Sequence, residues 1–124
     1  MSNSEIQSYR DLRVWIEGMN LAEVCYQVTR TFPKEEMYGM VSQIRRSAAS
    51  IPANIAEGYG REYRAEYIQF LRTAQGSLKE LETHLILSVR VKLTTNQEID
   101  PILSKCEALG RMLRSLIRSL QSKA

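Results

Sequence analysis

MVSQIRRSAASIPANIAEGYG, residues 40–60, is the stretch on which the fold turns. Met40, Val41, Ile44, Ala48, Ile51 and Ile55, with Met37 ahead of them, recur at three- and four-residue steps, the period of one face of an α-helix. Ser42, Ala49, Ala53 and Ala56 make a small-residue side suited to close approach by another helix. Beside the apolar edge, Gln43, Arg46, Ser47, Ser50, Asn54 and Glu57 align by the same steps into a polar seam. A fully solvated helix face usually carries Lys and Glu, so short Ser, Asn and Gln side chains point to restricted space. Pro52 removes the hydrogen bond its nitrogen would make to the carbonyl of Ala48, and a kink near residues 47–52 is expected. Gly58-Tyr59-Gly60 reads as a helix stop, not as a phosphate loop, because no strand precedes it.

Outward from this stretch, Phe32-Pro33 stops an earlier helical pattern and Thr94-Thr95-Asn96 interrupts a later one. Four segments of roughly 22–28 residues remain, long helices whose short connections make them antiparallel neighbours. Six Gly and three Pro in 124 residues are too few turns for a β-sandwich. The fold class is therefore all-α, an antiparallel up-down-up-down four-helix bundle over residues 9–122, with residues 1–8 a flexible N-terminus.

The fourth helix has one seam, Ile99, Ile102, Cys106, Leu109, Leu113, Leu116 and Leu120. It starts either at Thr95, with Glu98 completing a capping box, or at Asp100-Pro101. The third helix also has one stripe, Tyr67, Phe70, Leu71, Ala74, Leu78, Leu81, Leu85 and Val89. The first helix differs. Leu12, Trp15, Ile16, Met19, Ala22 and Tyr26 cover one flank, and Val14, Leu21, Cys25, Val28 and Phe32 cover the opposite one. A corner helix of a lone bundle needs a single stripe, so the second would form an exposed patch. The expectation is self-association, with Val14, Leu21, Cys25 and Val28 at the interface between copies.

Folding the second and third helices about a turn near residues 62–63 puts Gln43 level with Glu82 and Ser50 level with Gln75, and lets Arg45 or Arg46 reach Glu82 or Glu80. The polar seam of Gln43, Arg46, Ser50, Asn54, Glu57, Gln75 and Glu82 is then either a structural network that fixes register or a site for a ligand or nucleic acid. A second cluster is basic. Arg111, Arg114 and Arg118 share a face of the fourth helix, and the bundle brings Arg61 and Arg64 to the same end, with Arg10 and Arg13, among several carboxylates. Seventeen Lys and Arg against fourteen Asp and Glu leave a net charge of +3, with no basic tail. That balance suits solvated helix faces as well as a polyanion partner.

No catalytic signature is present, and the chain is expected not to be an enzyme. A di-iron bundle needs two Glu-x-x-His elements, whereas His84 is the single histidine and has no Glu three residues before it. No cofactor or metal is expected. Cys25 and Cys106 are far apart in sequence with no CxxC, which suits reduced, buried small apolar residues. No apolar run approaches membrane-spanning length, so no membrane partner is expected and a cytoplasmic location follows.

Tyr9-Arg10-Asp11-Leu12 with Trp15, then Phe32-Pro33, then the whole of Gln43 to Gly58 with its core Ser50-Ile51-Pro52-Ala53-Asn54-Ile55-Ala56-Glu57-Gly58, resemble the four-helix-bundle family of 23S rRNA-intervening-sequence proteins. Phe70-Leu71, Ala74, Gly76-Ser77-Leu78 and Glu80-Leu81-Glu82 extend the likeness, which spans residues 9–90. The resemblance implies a closed ring of five bundles around a channel and brings no enzymatic activity. A related branch, the accessory protein of diversity-generating retroelements, implies a pentamer that binds nucleic acid and a reverse transcriptase. Two departures bear on loops: Tyr63 stands where the family often has a capping Ser or Thr, and Leu93-Thr94-Thr95 lacks the usual glycine. Taken together, residues and resemblance lead to a noncatalytic homo-oligomeric scaffold that binds RNA or DNA. The alternative is a module for another protein with no nucleic-acid role, and a metabolite site at the polar seam is a third reading.

Overall fold

A computed structural model describes residues 6–123. Four helices follow in chain order: α1 (Arg13–Thr29), α2 (Met40–Tyr59), α3 (Arg64–Arg90) and α4 (Asn96–Gln121). Each packs on its sequence neighbours, and α1 closes against α4. Among the described residues there is no strand. The run is antiparallel, since positions that rise along one helix meet falling positions on the next. Gly18 lies against Pro52, Ser50 meets Ser77, and Gly110 lies against Leu78.

The expected flexibility of residues 1–8 lies in part outside the described residues. Within them, Ile6 packs on the core and Ser8 caps a 3-10 turn, Tyr9–Asp11. The Asp11 carboxylate accepts from the nitrogens of Gln7 at 2.9 Å and Ser8 at 3.2 Å, so the packed chain begins before residue 9.

Helix termini follow local chemistry. Thr95 caps α4, its hydroxyl accepting from the nitrogen of Glu98 at 3.3 Å, which decides between the two candidate starts. Pro101 therefore lies inside α4 on its exposed side, where the carbonyl it leaves free can reach water. Tyr63 precedes α3 without a side-chain capping bond, the consequence of losing the Ser or Thr hydroxyl. In the α3–α4 connection Lys92 takes φ 67°, the left-handed conformation that favours glycine, while Leu93, Thr94 and Thr95, where the usual glycine is lacking, do not. Met37, expected on the core edge, is 47% exposed, because α2 begins only at Met40 after a 3-10 turn over Lys34–Glu36.

Buried side chains confirm the α2 edge at Val41, Ile44, Ala48, Ile51 and Ile55, and the α3 stripe at Leu71, Ala74, Leu78, Leu81 and Leu85. On α4 the seam runs Leu109, Leu113, Ile117; Leu116 is only half-buried, because the buried face keeps to four-residue steps there.

Helix α1 corrects the sequence reading. Val14, Leu21 and Cys25 are buried in the chain's own core at 5%, 1% and 0% exposure, and Val28 packs against that core, so none of them offers a free interface. Gly18 and Thr29 complete this stripe. Gly18 faces α2 on this side, where a β-carbon would meet the ring of Pro52 at 3.5 Å, an ordinary van der Waals contact. Ile16, Met19 and Tyr26, on the other flank, stay more than 40% exposed.

Gly58 also acts differently from a stop. It is helical and buried, and a β-carbon there would fall 2.6 Å from the Phe70 β-carbon, closer than any packing allows. It is a point of close approach between α2 and α3, and Gly60 supplies the cap. Gly58→Ala is expected to destabilise the fold by about 1–3 kcal/mol through overpacking, although alanine is the better helix former. Gly76→Ala, with nothing within 4 Å of the new methyl, is expected to stabilise by about 0.5–1 kcal/mol. Urea unfolding of the two variants checks the contrast.

Candidate functional site

The four grooves between neighbouring helices carry different chemistry. In the α2/α3 groove, the Ser50 and Ser77 hydroxyls are 2.8 Å apart, and Asn54 Nδ2 donates to the Ser50 carbonyl at 2.8 Å and to its hydroxyl at 3.0 Å. Arg46 donates to Gln43 Oε1 at 2.6 Å and pairs with Glu80 at 3.3 Å, and His84 Nε2 lies 3.3 Å from the same Glu80 oxygen. Glu57 pairs with Arg61 at 2.9 Å. The seam therefore contains Gln43, Arg46, Ser50, Asn54 and Glu57 as read from sequence, but not Gln75 or Glu82. Gln75 lies in the α3/α4 groove, and Glu82 pairs with Lys79 at 3.1 Å. The reason is register. Close approach at Gly58 and Phe70 moves the level two residues further along α3, which turns that helix by about 200° and replaces positions 75 and 82 with Ser77, Glu80 and His84. The seam's donors are largely spent on one another, and its exposed Arg46–Glu80 pair is worth about 0–1 kcal/mol.

The α1/α2 groove is apolar. Trp15, Met19 and Tyr26 form one wall, and Ala49, Ala53 and Ala56 with buried Pro52 form the other, around a trough of about 540 Å³. Tyr9 meets Trp15 edge to face at 5.3 Å and closes one end. Arg45 fixes the other end: its Nε donates to the Thr29 hydroxyl at 2.9 Å, and its guanidinium stacks 4.6 Å over the Tyr26 ring. The Thr29 hydroxyl in turn donates to the Cys25 carbonyl at 2.7 Å.

The arginines named from sequence do not form one cluster. Arg114 and Arg118 join Arg72 of α3 in the α3/α4 groove. Arg111 lies with Arg13 in the α4/α1 groove. Arg61 is held by Glu57 and stacks 4.8 Å from the Phe70 ring, and Arg64 donates to the Lys123 carbonyl. Arg72 escaped the sequence reading, which looked only at the chain ends of the bundle. Antiparallel pairing of α3 with α4 at the level of Leu78 and Gly110 puts Arg72 between Arg114 and Arg118, and that pairing was the signal available.

Among the described residues, no group of three His, Cys, Asp or Glu side chains could hold a metal ion, and no helix is long and apolar enough to cross a membrane. Cys25 and Cys106 are free and buried. Burial pushes the Cys25 thiol up to about 12 from 9.0. Burial likewise pushes Cys106 to about 12, reinforced by Cys25 nearby. Tyr67 rises from 10.0 to about 12, through burial and then the neighbouring Tyr59.

These surfaces belong to a four-helix bundle whose outer grooves differ in chemistry: apolar between α1 and α2, internally bonded between α2 and α3, basic between α3 and α4. Residues 10–115 match the family described as 23S rRNA-intervening sequence protein, and the chain belongs to that family. A crystal structure from Bacteroides thetaiotaomicron, of a protein with unknown function from the S23 ribosomal protein family, is similar to it. The two chains are 27% identical and superpose with a TM-score of 0.75, over 84% of this chain and 97% of the other. Comparison with curated proteins finds no match.

The raised thiols set a pH dependence. In the unfolded chain they ionise near 9, and in the fold near 12, so their contribution to stability is complete below about pH 9 and is lost as pH rises toward 12. Alkaline unfolding is expected in that window and is expected to shift upward in a Cys25→Ala, Cys106→Ala double variant. Thiol labelling at pH 8 is expected to proceed only on unfolding, and rapid labelling of the folded protein would contradict the burial.

Proposed function

We propose that this protein is a noncatalytic homo-oligomeric scaffold that binds RNA or DNA through arginines on its outer face. The observation that carries the assembly is the uncovered α1/α2 trough. Met19 and Tyr26 remain 44% and 41% exposed beside the row of alanines on α2, with Glu23 the one charged residue in the lining, and Ile16 on the same flank of α1 is 41% exposed. Covering each would gain about 1 kcal/mol of apolar burial. A trough walled by aromatic rings on one side and methyl groups on the other suits a helix from a sister chain. A ring of five follows the family resemblance, and its contact is head-to-tail, the trough of one protomer receiving a different surface of the next.

Light scattering of the parent protein at micromolar concentration is expected to give a mass of several protomers. Met19→Asp is expected to reduce that to a single chain with helical circular dichroism retained. Leu21→Asp puts a charge in the protomer core and is expected to unfold the chain instead. A monomeric parent protein rejects the assembly.

The nucleic-acid reading is supported by arginines that no carboxylate engages. Arg13, Arg72, Arg111, Arg114 and Arg118 make no ion pair among the described residues, whereas Arg46, Arg61 and Lys79 do. Affinity for structured RNA is expected to fall steeply as salt rises, because phosphate contacts release counterions. Absence of binding at low salt removes this part of the function. The trough favours the second reading, a surface for another protein; in that case a pull-down from nuclease-treated lysate keeps its partner and RNA affinity is absent.

A further inference from the structure

We infer that the α3/α4 groove around Arg72, Arg114 and Arg118 is the phosphate-backbone site for a nucleic-acid strand, an inference that rests on the nucleic-acid reading above. The groove encloses about 210 Å³. Its walls carry those three guanidiniums and the amides of Gln75 and Gln121, over a floor of buried Ile117. Every polar side chain lining it is a donor or can present one, and none is a carboxylate.

Several of the other cations on α2, on α3 and in the turn between them are spent inside the chain, whereas Arg90, at the far end of α3, has no ion pair among the described residues. Arg45 is bonded to Thr29, Arg46 is paired with Glu80, Arg61 with Glu57, Arg64 bonded to the Lys123 carbonyl, and Lys79 paired with Glu82. Among the described residues, Arg72, Arg114 and Arg118 have no such partner. Three like charges gathered round one small space repel one another, and an anion between them relieves that repulsion. The helix dipole explains Arg118, in the last turn of α4, but not Arg72, which lies in the first third of α3 where a cation gains nothing.

The chemistry selects phosphate oxygens, which the planar guanidinium fork engages with two parallel hydrogen bonds. No aromatic ring lines the groove, so it offers no platform for stacking bases. It reads the backbone, with little preference for sequence.

Fluorescence anisotropy of the full chain with labelled single-stranded RNA, across a sodium chloride series, tests this. The groove variant is Arg72→Gln, Arg114→Gln, Arg118→Gln. The control removes the same charge at the opposite end of the bundle, Arg30→Gln, Arg90→Gln, Lys92→Gln. The groove variant is expected to bind about 10-fold or more weakly, with a salt dependence shallower by about two phosphate contacts. The control is expected to stay within about 2-fold of the parent with its salt dependence unchanged, and oligonucleotides of different sequence are expected to bind alike. Equal weakening by both variants overturns the groove while leaving nucleic-acid binding intact. A parent protein that binds no RNA at low salt overturns the underlying reading as well. If pyrophosphate then binds the parent in calorimetry and not the groove variant, the site holds a small phosphate ligand, and its assignment to a strand is wrong.

Discussion

The interior of this bundle has room for one flank of α1, and α1 has two. Burying Val14, Gly18, Leu21, Cys25 and Thr29 against α2 and α4 satisfies the core and leaves Ile16, Met19 and Tyr26 facing water. Gly18 lies against Pro52 on the inward side. Turning α1 to bury Met19 and Tyr26 would expose Leu21 and Cys25, which are now 1% and 0% exposed. The apolar trough outside the bundle is thus a direct result of how its inside is packed.

The close approach of Gly58 to Phe70 sets the register of α2 on α3 and so decides what the polar seam contains. Two residues of register turn a helix by more than half a revolution, so Ser77, Glu80 and His84 meet α2 while Gln75 and Glu82 look toward α4. The seam then closes on itself through Asn54, Ser50 and Ser77, whereas Arg72 of α3 and Arg114 and Arg118 of α4 have no ion pair among the described residues. Each pair of helices acquires its own character: apolar between α1 and α2, internally bonded between α2 and α3, basic between α3 and α4.

This separation suits a scaffold. The surface suited to sister chains and the surface suited to a polyanion lie on opposite pairs of helices, so neither need be sacrificed for the other. A net charge of +3 gives only a weak long-range field, so any attraction for a polyanion would have to come from a local concentration of cations. Arg72, Arg114 and Arg118 supply that concentration although the chain as a whole is nearly balanced.

Helical period was enough to place four helices, to choose the buried edges of α2 and α3, and to put Cys106 in the buried seam of α4, because burial follows spacing along one chain. The same period could name both flanks of α1 but not choose between them, and it put Val14, Leu21 and Cys25 outside when they lie inside. Two flanks of similar hydrophobicity are equivalent until a partner helix is present, and the partner contact at Gly18 depends on residues thirty-odd positions away. The grouping of Arg114 and Arg118 with Arg72, and the exchange of Gln75 for Ser77, likewise needed the inter-helix register. Local spacing determined what each helix could bury and offer; contacts between helices decided which side was buried and which charges became neighbours, since a rotation of one residue costs little within a helix and changes every contact outside it.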